Sequence, residues 1–260
     1  MKRYFPAEFR AAVMSAILAW PAFSMGQAAK PDSKATPVLV ELFTSEGCSD
    51  CPPADNLLAR LDAEQPIVGA HVIALSEHVT YWNHDGWHDP FSLLQMDERQ
   101  AHYAEQFRLD SSYTPQAVID GAEQVVGNDT KHMVQAVVDE ARLPSQTLAI
   151  TQAALDKGSV HFTVQAPGSE GKRLYAAMAQ DVSRSEVTRG ENAGRTLHHV
   201  AVVREMKEFK ADFGDGRALS LSAGNLDHHP GAGAMRLVVF LEDPRSGRVV
   251  GAAEEILTNQ

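Results

Sequence analysis

Cys48 and Cys51, flanking Ser49-Asp50, are the only two cysteines in the chain. An apolar run of strand type, Val38-Leu39-Val40, leads through a short turn to the first of them, and a helical pattern begins after the second. A thiol at a helix N-terminus faces unpaired backbone N–H groups and the positive end of the helix dipole, and both favour the thiolate. One thiolate can attack a disulfide while its neighbour resolves the mixed disulfide. Cys48 is therefore expected to be the nucleophile and Cys51 the resolving thiol, buried one helical turn later. Two other readings share the motif: an inert staple of a turn, and half of a metal site. A structural zinc site usually takes four ligands, often as two such pairs, and here there is one pair. Asp50 allows two readings as well. Its carboxylate either disfavours a neighbouring thiolate, making the pair a weaker oxidant, or caps the helix.

A second concentration of chemistry lies in residues 76 to 90, SEHVTYWNHDGWHDP. His78, His84 and His88 share this stretch with Tyr81, Trp82 and Trp87. Three histidines so close can ligate a transition metal. They can also line a substrate groove, with the tryptophans as apolar anchors. A groove wall beside Cys48, using His78 and Trp82, is the expectation, because acidic and aromatic neighbours outnumber plausible ligands. A self-packed surface loop with incidental histidines is the bland alternative.

These residues need a scaffold, and the first half of the chain supplies alternating elements. PPADNLLARLDAE has helical spacing at Leu57, Leu58 and Leu61, with two prolines suited to a first turn. Residues 67 to 75 read as a strand and 91 to 107 as a helix. Residues 116 to 119 and 123 to 126 read as a hairpin turning at Asp120-Gly121, and 130 to 142 as a third helix. Strands alternating with helices imply a central sheet covered by helices. From Thr147 onward the runs are strand-like and separated by Gly, Pro, Asp and Ser, which predicts an antiparallel sandwich-like domain over 147–257, with a boundary at Pro144-Ser145. Within it, Arg189-Gly190-Glu191-Asn192-Ala193-Gly194-Arg195 is a charged turn leading to His198-His199. Such a turn leans over the redox residues, binds a partner, or is a hairpin loop held by its own ion pairs.

Composition sets the compartment and excludes some partners. Lys2, Arg3 and Arg10 precede an apolar run from about Ala11 to Phe23, and small residues follow, the pattern of a secretory signal over 1–28. The run is short of the roughly 20 apolar residues a spanning helix needs. The expected mature protein is exported to a periplasm or secreted, where disulfides persist, with no membrane attachment after cleavage. The formal charge of −11, without a basic patch, argues against nucleic acid or anionic lipid as partner.

The order β-α-β-α-β-β-α, with Cys-x-x-Cys opening the first helix and Thr114-Pro115 just before the third strand, resembles the thioredoxin fold over 36–143. The resemblance implies a cis proline peptide beside the redox pair, where the backbone at Thr114 and Pro115 hydrogen-bonds an extended substrate. It also implies that Glu41, in the first strand, is a buried acid beneath the pair, of raised pKa, serving Cys51 as general base. Two departures from ordinary thioredoxins stand out: Gly47 replaces the aromatic residue before the first cysteine, and Ser-Asp separates the cysteines. More narrowly, ELFTSEGCSDCPPAD, SEHVTYWNHDGWHDPF, YTPQAVIDG and RGENAGRTLHHVAVVR resemble an exported thioredoxin-like family known as a domain of unknown function. The expected activity is thiol–disulfide exchange on a protein or small thiol, without a cofactor, with a redox partner that recycles the pair. The alternative is a periplasmic metal-binding or metal-delivery protein using the cysteines and a histidine, since soft thiolates suit Cu(I) and zinc. A third reading is a binding module whose cysteines only staple a turn.

Overall fold

The computed structural model describes residues 35–156, 158–210, 213–222 and 234–257; the leader-like segment lies outside them. The first half places β1 (Thr36–Thr44), α1 (Pro52–Glu64), β2 (Ala70–His78), α2 (Leu94–Phe107), β3 (Gln116–Ile119), β4 (Glu123–Val126) and α3 (Thr130–Ala141). β1 is almost wholly buried because it is central, with β2 parallel on one side and β3 antiparallel on the other. Side chains alternate across it, as in any strand. Thr44 reaches Asp55 of α1, whereas Glu41 and Phe43 meet Tyr103 of α2. That alternation decides which acids can serve the cysteines.

α1 starts where two prolines follow Cys51. Neither has an N–H, so two of the orphan donors of a first turn are removed. Its buried stripe is Ala54, Leu57, Leu58 and Leu61, and it ends at Gln65, whose left-handed backbone (φ 45°) returns an N–H to Leu61 O. The β3–β4 turn falls at Asp120-Gly121. A Cβ on Gly121 (φ 59°) would lie 2.2 Å from Gly247 O, so the close approach requires glycine there.

The second half comprises β5 (Ala149–Asp156), β6 (Ser159–Gln165), β7 (Arg173–Glu186), β8 (Thr196–Phe209), β9 (Arg217–Ser222), β10 (Met235–Glu242) and β11 (Val249–Leu257). It is antiparallel and strand-rich, but it does not stand apart as the expected second domain. β8 pairs in parallel with β2 through Ser76 and Val202, so four of its strands continue the first sheet. Among the described residues the result is one eight-stranded sheet, β11-β10-β7-β8-β2-β1-β3-β4, with three helices, and these residues form one compact unit. The physical reason is the edge: β2 would otherwise present unpaired backbone groups, and β8 covers them. A separate three-stranded sheet, β5-β6-β9, packs on the extension, burying Val160, Phe162, Val164 and Leu221 against Leu174, Met178, Leu237 and Val239. The layering expected of a sandwich is therefore present, with one layer borrowed from the central sheet.

The halves interlock elsewhere too. Arg236 of β10 pairs with Asp62 of α1 at 2.6 Å, and the sheet curls until Val249 N–H donates to Asp120 O at 2.8 Å. β7 and β8 each run for 14 residues, beyond the apolar runs visible in the sequence. Their extra length carries the turn between them to the cysteine segment. Among the described residues no helix is long and apolar enough to cross a membrane.

Candidate functional site

Cys48 and Cys51 form a disulfide whose Cα atoms lie 5.4 Å apart. Two backbone bonds shape the turn: Cys48 N–H donates to Ser45 O and Cys51 N–H to Cys48 O. Cys51 is the N-cap of α1 and makes no side-chain capping bond; Asp50 does not occupy the cap position and is exposed. The prolines alter the thiolate argument, because the N–H groups expected to stabilise sulfur are missing at the first two helical positions. Both cysteines are buried, at 1% and 0% exposure, although only Cys51 was expected to be.

The Thr114–Pro115 peptide is cis. Pro115 is brought to α1 by a glycine: a Cβ on Gly127 would meet Leu42 Cδ1 at 2.8 Å, Pro115 Cβ at 3.0 Å and Ala54 Cβ at 3.2 Å. Trp82 ties this region to the cysteine turn. Its indole N–H donates to Thr114 Oγ1 at 2.7 Å, while its Cβ and carbonyl oxygen press on Gly47. Trp82 thus links Thr114 to Gly47, the residue before Cys48, and Gly127 lets Pro115 approach Ala54, three residues after Cys51.

A buried polar network occupies the same end of the sheet. Asp89 Oδ2 accepts from Glu46 N–H at 2.9 Å and lies 2.7 Å from His78 Nδ1. Burial acts to raise the Asp89 carboxyl, but His78 and the N–H groups of Glu46 and Phe91 outweigh it and hold the pKa at about 2. An ionised carboxylate only accepts, so the His78 proton sits on Nδ1. The rings of His78 and His199 meet edge to face with centroids 4.7 Å apart. His199 Nε2 is 3.3 Å from Glu46 Oε1, and Glu46 Oε2 accepts from Trp87 Nε1 at 2.8 Å and Ser185 Oγ at 3.2 Å. On its other side His199 Nδ1 faces Asp55 Oδ2 at 3.6 Å, and Asp55 Oδ1 accepts from Thr44 Oγ1 at 2.8 Å.

Electrostatics single out the Asp55–His199 pair. Burial raises the Asp55 carboxyl above its ordinary value. Burial opposes protonation of His199 as well, but Asp55 and Glu46 outweigh it and its pKa is raised. Asp55 stands four residues after Cys51, on the same helix face one turn along.

Two expectations are corrected. Glu41 is fully buried, but on the α2 side of the sheet, away from α1. Its carboxylate pairs with Arg99 Nε at 2.5 Å and accepts from Tyr103 Oη at 2.5 Å. Strand alternation sends it there; a base for Cys51 would have to come from an even-numbered β1 position or from α1 itself. The three histidines also do not converge. His78 is buried in the network rather than on a groove wall, while His84 and His88 are exposed. Among the described residues no group of three or more His, Cys, Asp or Glu side chains is arranged to hold a metal ion.

The sequence reading passed over Asp55, Glu46 and Asp89. Asp55 had a signal, an acid at helical spacing from Cys51. Glu46 and Asp89 had none, because nothing local distinguishes them from surface carboxylates. The turn from Arg189 to Arg195 lies against the cysteine segment: Asn192 Nδ2 donates to Glu46 O and Cys48 O, each at 2.9 Å.

The same fold occurs in a crystal structure of a protein from Agrobacterium tumefaciens, which is 24% identical, with a TM-score of 0.64 over 88% of this chain and 97% of that one. No curated protein matches the chain. The model of the family described as a protein of unknown function, DUF1223, matches residues 39–242, and the chain belongs to that family.

Proposed function

We propose that the protein is an exported thiol–disulfide oxidoreductase built on a thioredoxin-like core, acting on protein thiols or disulfides and recycled by a redox partner. The strand order β2-β1-β3-β4, the cysteine pair opening α1 and the cis Thr114–Pro115 peptide support the thioredoxin-like reading. The observation that carries the activity is the buried Asp55–His199 pair one helical turn from Cys51. A disulfide that merely staples a turn needs no titratable groups kept in the core behind it. Such groups cost stability unless they are hydrogen-bonded or paired, and among the described residues Asp55 Oδ2 and His199 Nδ1 have no hydrogen-bond partner.

In the oxidising direction, a substrate thiolate attacks Cys48 Sγ, the Cys48–Cys51 bond breaks, and Cys51 leaves as a thiolate. Asp55, whose carboxyl burial raises above its ordinary value, is the group placed to exchange that proton with a sealed Cys51, and His199 stands behind it to relay the proton. A second substrate thiolate then attacks the substrate sulfur of the mixed disulfide and releases Cys48, leaving an oxidised substrate and a reduced pair. The reductive direction runs these steps backwards, with Asp55 accepting the proton. Direction follows the potential of the pair against its partner. The missing N–H groups at Pro52 and Pro53 leave a thiolate less stabilised, which makes the disulfide a weaker oxidant.

The test is trapping. Cys51→Ser should accumulate mixed disulfides through Cys48, visible by mass spectrometry of the non-reduced protein, and Cys48→Ser should accumulate none. Equal adducts from both variants, or none from either, would exclude the assignment.

A further inference from the structure

Cys48 is shut away at 1% exposure, yet exchange needs a sulfur to come within about 3.5 Å of it. Some part of the cover must therefore leave. The turn between β7 and β8, Val187 to Arg195, is a self-contained loop, closed by Gly194 N–H to Val187 O at 2.8 Å and Val187 N–H to Arg195 O at 3.0 Å. It rests on the cysteine turn through side chains only. Asn192, fully buried, gives its amide to Glu46 O and Cys48 O, and Arg195 holds the other end of that amide at 2.9 Å. Glu191 Oε2 accepts from Ser49 N–H at 3.0 Å, on an exposed flank. At Gly190 an added Cβ would meet Asp85 O and Trp87 Cβ at 3.1 Å each, so the loop also closes against the aromatic segment.

The groups engaged are Glu46 O, Cys48 O and Ser49 N: two acceptors and a donor on a strip of main chain beside the disulfide. An asparagine amide and a carboxylate reproduce what a peptide unit offers, a donor N–H and an acceptor oxygen. Resting on the oxidoreductase reading, we propose that the Val187–Arg195 turn is a lid that occupies, in the closed state, the strip on which a polypeptide substrate docks its own main chain. Opening exposes the sulfur and the strip together. A polypeptide can replace the lid's hydrogen bonds, and a thiol without main-chain N–H groups cannot.

The lid is tested by the rate at which tris(2-carboxyethyl)phosphine reduces the disulfide, a reaction indifferent to any biological activity. In the wild type the rate should level off at high phosphine, because opening becomes limiting. Asn192→Ala and Glu191→Ala should each raise it, by about tenfold for Asn192→Ala and less for Glu191→Ala. Glu191 is exposed, so that variant carries the test if Asn192→Ala does not fold. A wild-type rate linear in phosphine and unchanged in the folded variants would overturn the lid. The occupant is tested with a cysteine-containing peptide against the same peptide with its main-chain amides N-methylated: the unmethylated peptide should exchange faster with Glu191→Ala, since only it can donate to Glu46 O and Cys48 O, and equal rates overturn the polypeptide assignment. Lid variants that open to phosphine but exchange with neither thiol would sink the oxidoreductase reading, and the docking strip with it, while leaving the lid standing.

Discussion

His199 Nδ1 lies 3.6 Å from Asp55 Oδ2, and among the described residues neither atom has a hydrogen-bond partner. Both side chains are buried, and the pKa of each is raised. An arrangement that close but unbonded is poised for a proton rather than locked by one.

Replacing Asp55 with Asn tests this directly. The amide keeps an acceptor for Thr44 but carries no transferable proton. Exchange steps that protonate or deprotonate Cys51 should slow by roughly 10²-fold, the ordinary loss on removing a positioned acid or base. The pH–rate profile should also change form. The wild-type pair should titrate with two macroscopic pKa values, and Asp55→Asn should lose one of them. A profile superimposable on the wild type would remove Asp55 from the chemistry.

Glu41 should behave in the opposite way. It is the near counter-ion of Arg99, whose side chain is 8% exposed, and Glu77 stands behind it at 3.7 Å. Burial first, and then the neighbouring Glu41, push the Glu77 carboxyl well up. Removing Glu41 lifts the second of these effects and leaves Glu77, 3.7 Å from Arg99 Nε, as a second carboxyl beside the guanidinium. Glu41→Leu should therefore cost less than the 3–5 kcal/mol usual for breaking a buried pair, about 1–3 kcal/mol by denaturant melting. Adding Glu77→Leu should cost far more than the sum of the singles. Thiol exchange should be unaffected in Glu41→Leu, and a 10²-fold slowing there would restore Glu41 to the redox machinery.

How much of this was legible follows from which interactions are local. α1, the β3–β4 hairpin and the strands of the second half are written as periodicity and turn residues, and the structure puts them where Leu57, Leu58 and Leu61 or Asp120-Gly121 say. What was not legible is long-range. Nothing in Ser76 or Val202 announces that β8 will cover β2 and fuse two expected domains into one sheet. Glu46 meets His199 across 153 positions of sequence, and no spacing rule spans that. Glu41 failed for a different reason. Its place was carried over from a resemblance while its strand parity, visible in the sequence, pointed it to the other face.

Gly127 should prove less tolerant than a surface turn glycine. An alanine Cβ there would intrude on Leu42, Pro115 and Ala54, which come from β1, the start of β3 and α1. Leu42 can swing its methyl aside, but a proline ring and a helical Cβ cannot. Gly127→Ala should lose about 1–3 kcal/mol of stability and, by pushing Pro115 from α1, slow exchange with a peptide more than reduction by phosphine. Wild-type stability in this variant would mean that the three neighbours have room to give.

Asp120 supplies a pH dependence far from the cysteines. It sits in the β3–β4 turn at φ 46°, with Oδ1 accepting from Leu39 N–H at 2.7 Å. Burial raises its carboxyl from 3.8 to about 7, against the pull of that N–H. In the unfolded chain the group ionises near its ordinary value, whereas in the folded chain it holds its proton until about pH 7. Over that window the native state binds more protons, so the stability it contributes at low pH is lost as pH rises from about 4 to about 7. Asparagine keeps the acceptor for Leu39, tolerates the left-handed backbone and does not titrate. Asp120→Asn should therefore match the wild type near pH 4 and gain on it steadily toward pH 7, by an amount of order 2–4 kcal/mol. Denaturant melts of both proteins across that range give the difference, in which every other titrating group cancels. Parallel curves would show that Asp120 ionises at its ordinary pKa and that the turn bears the charge without penalty.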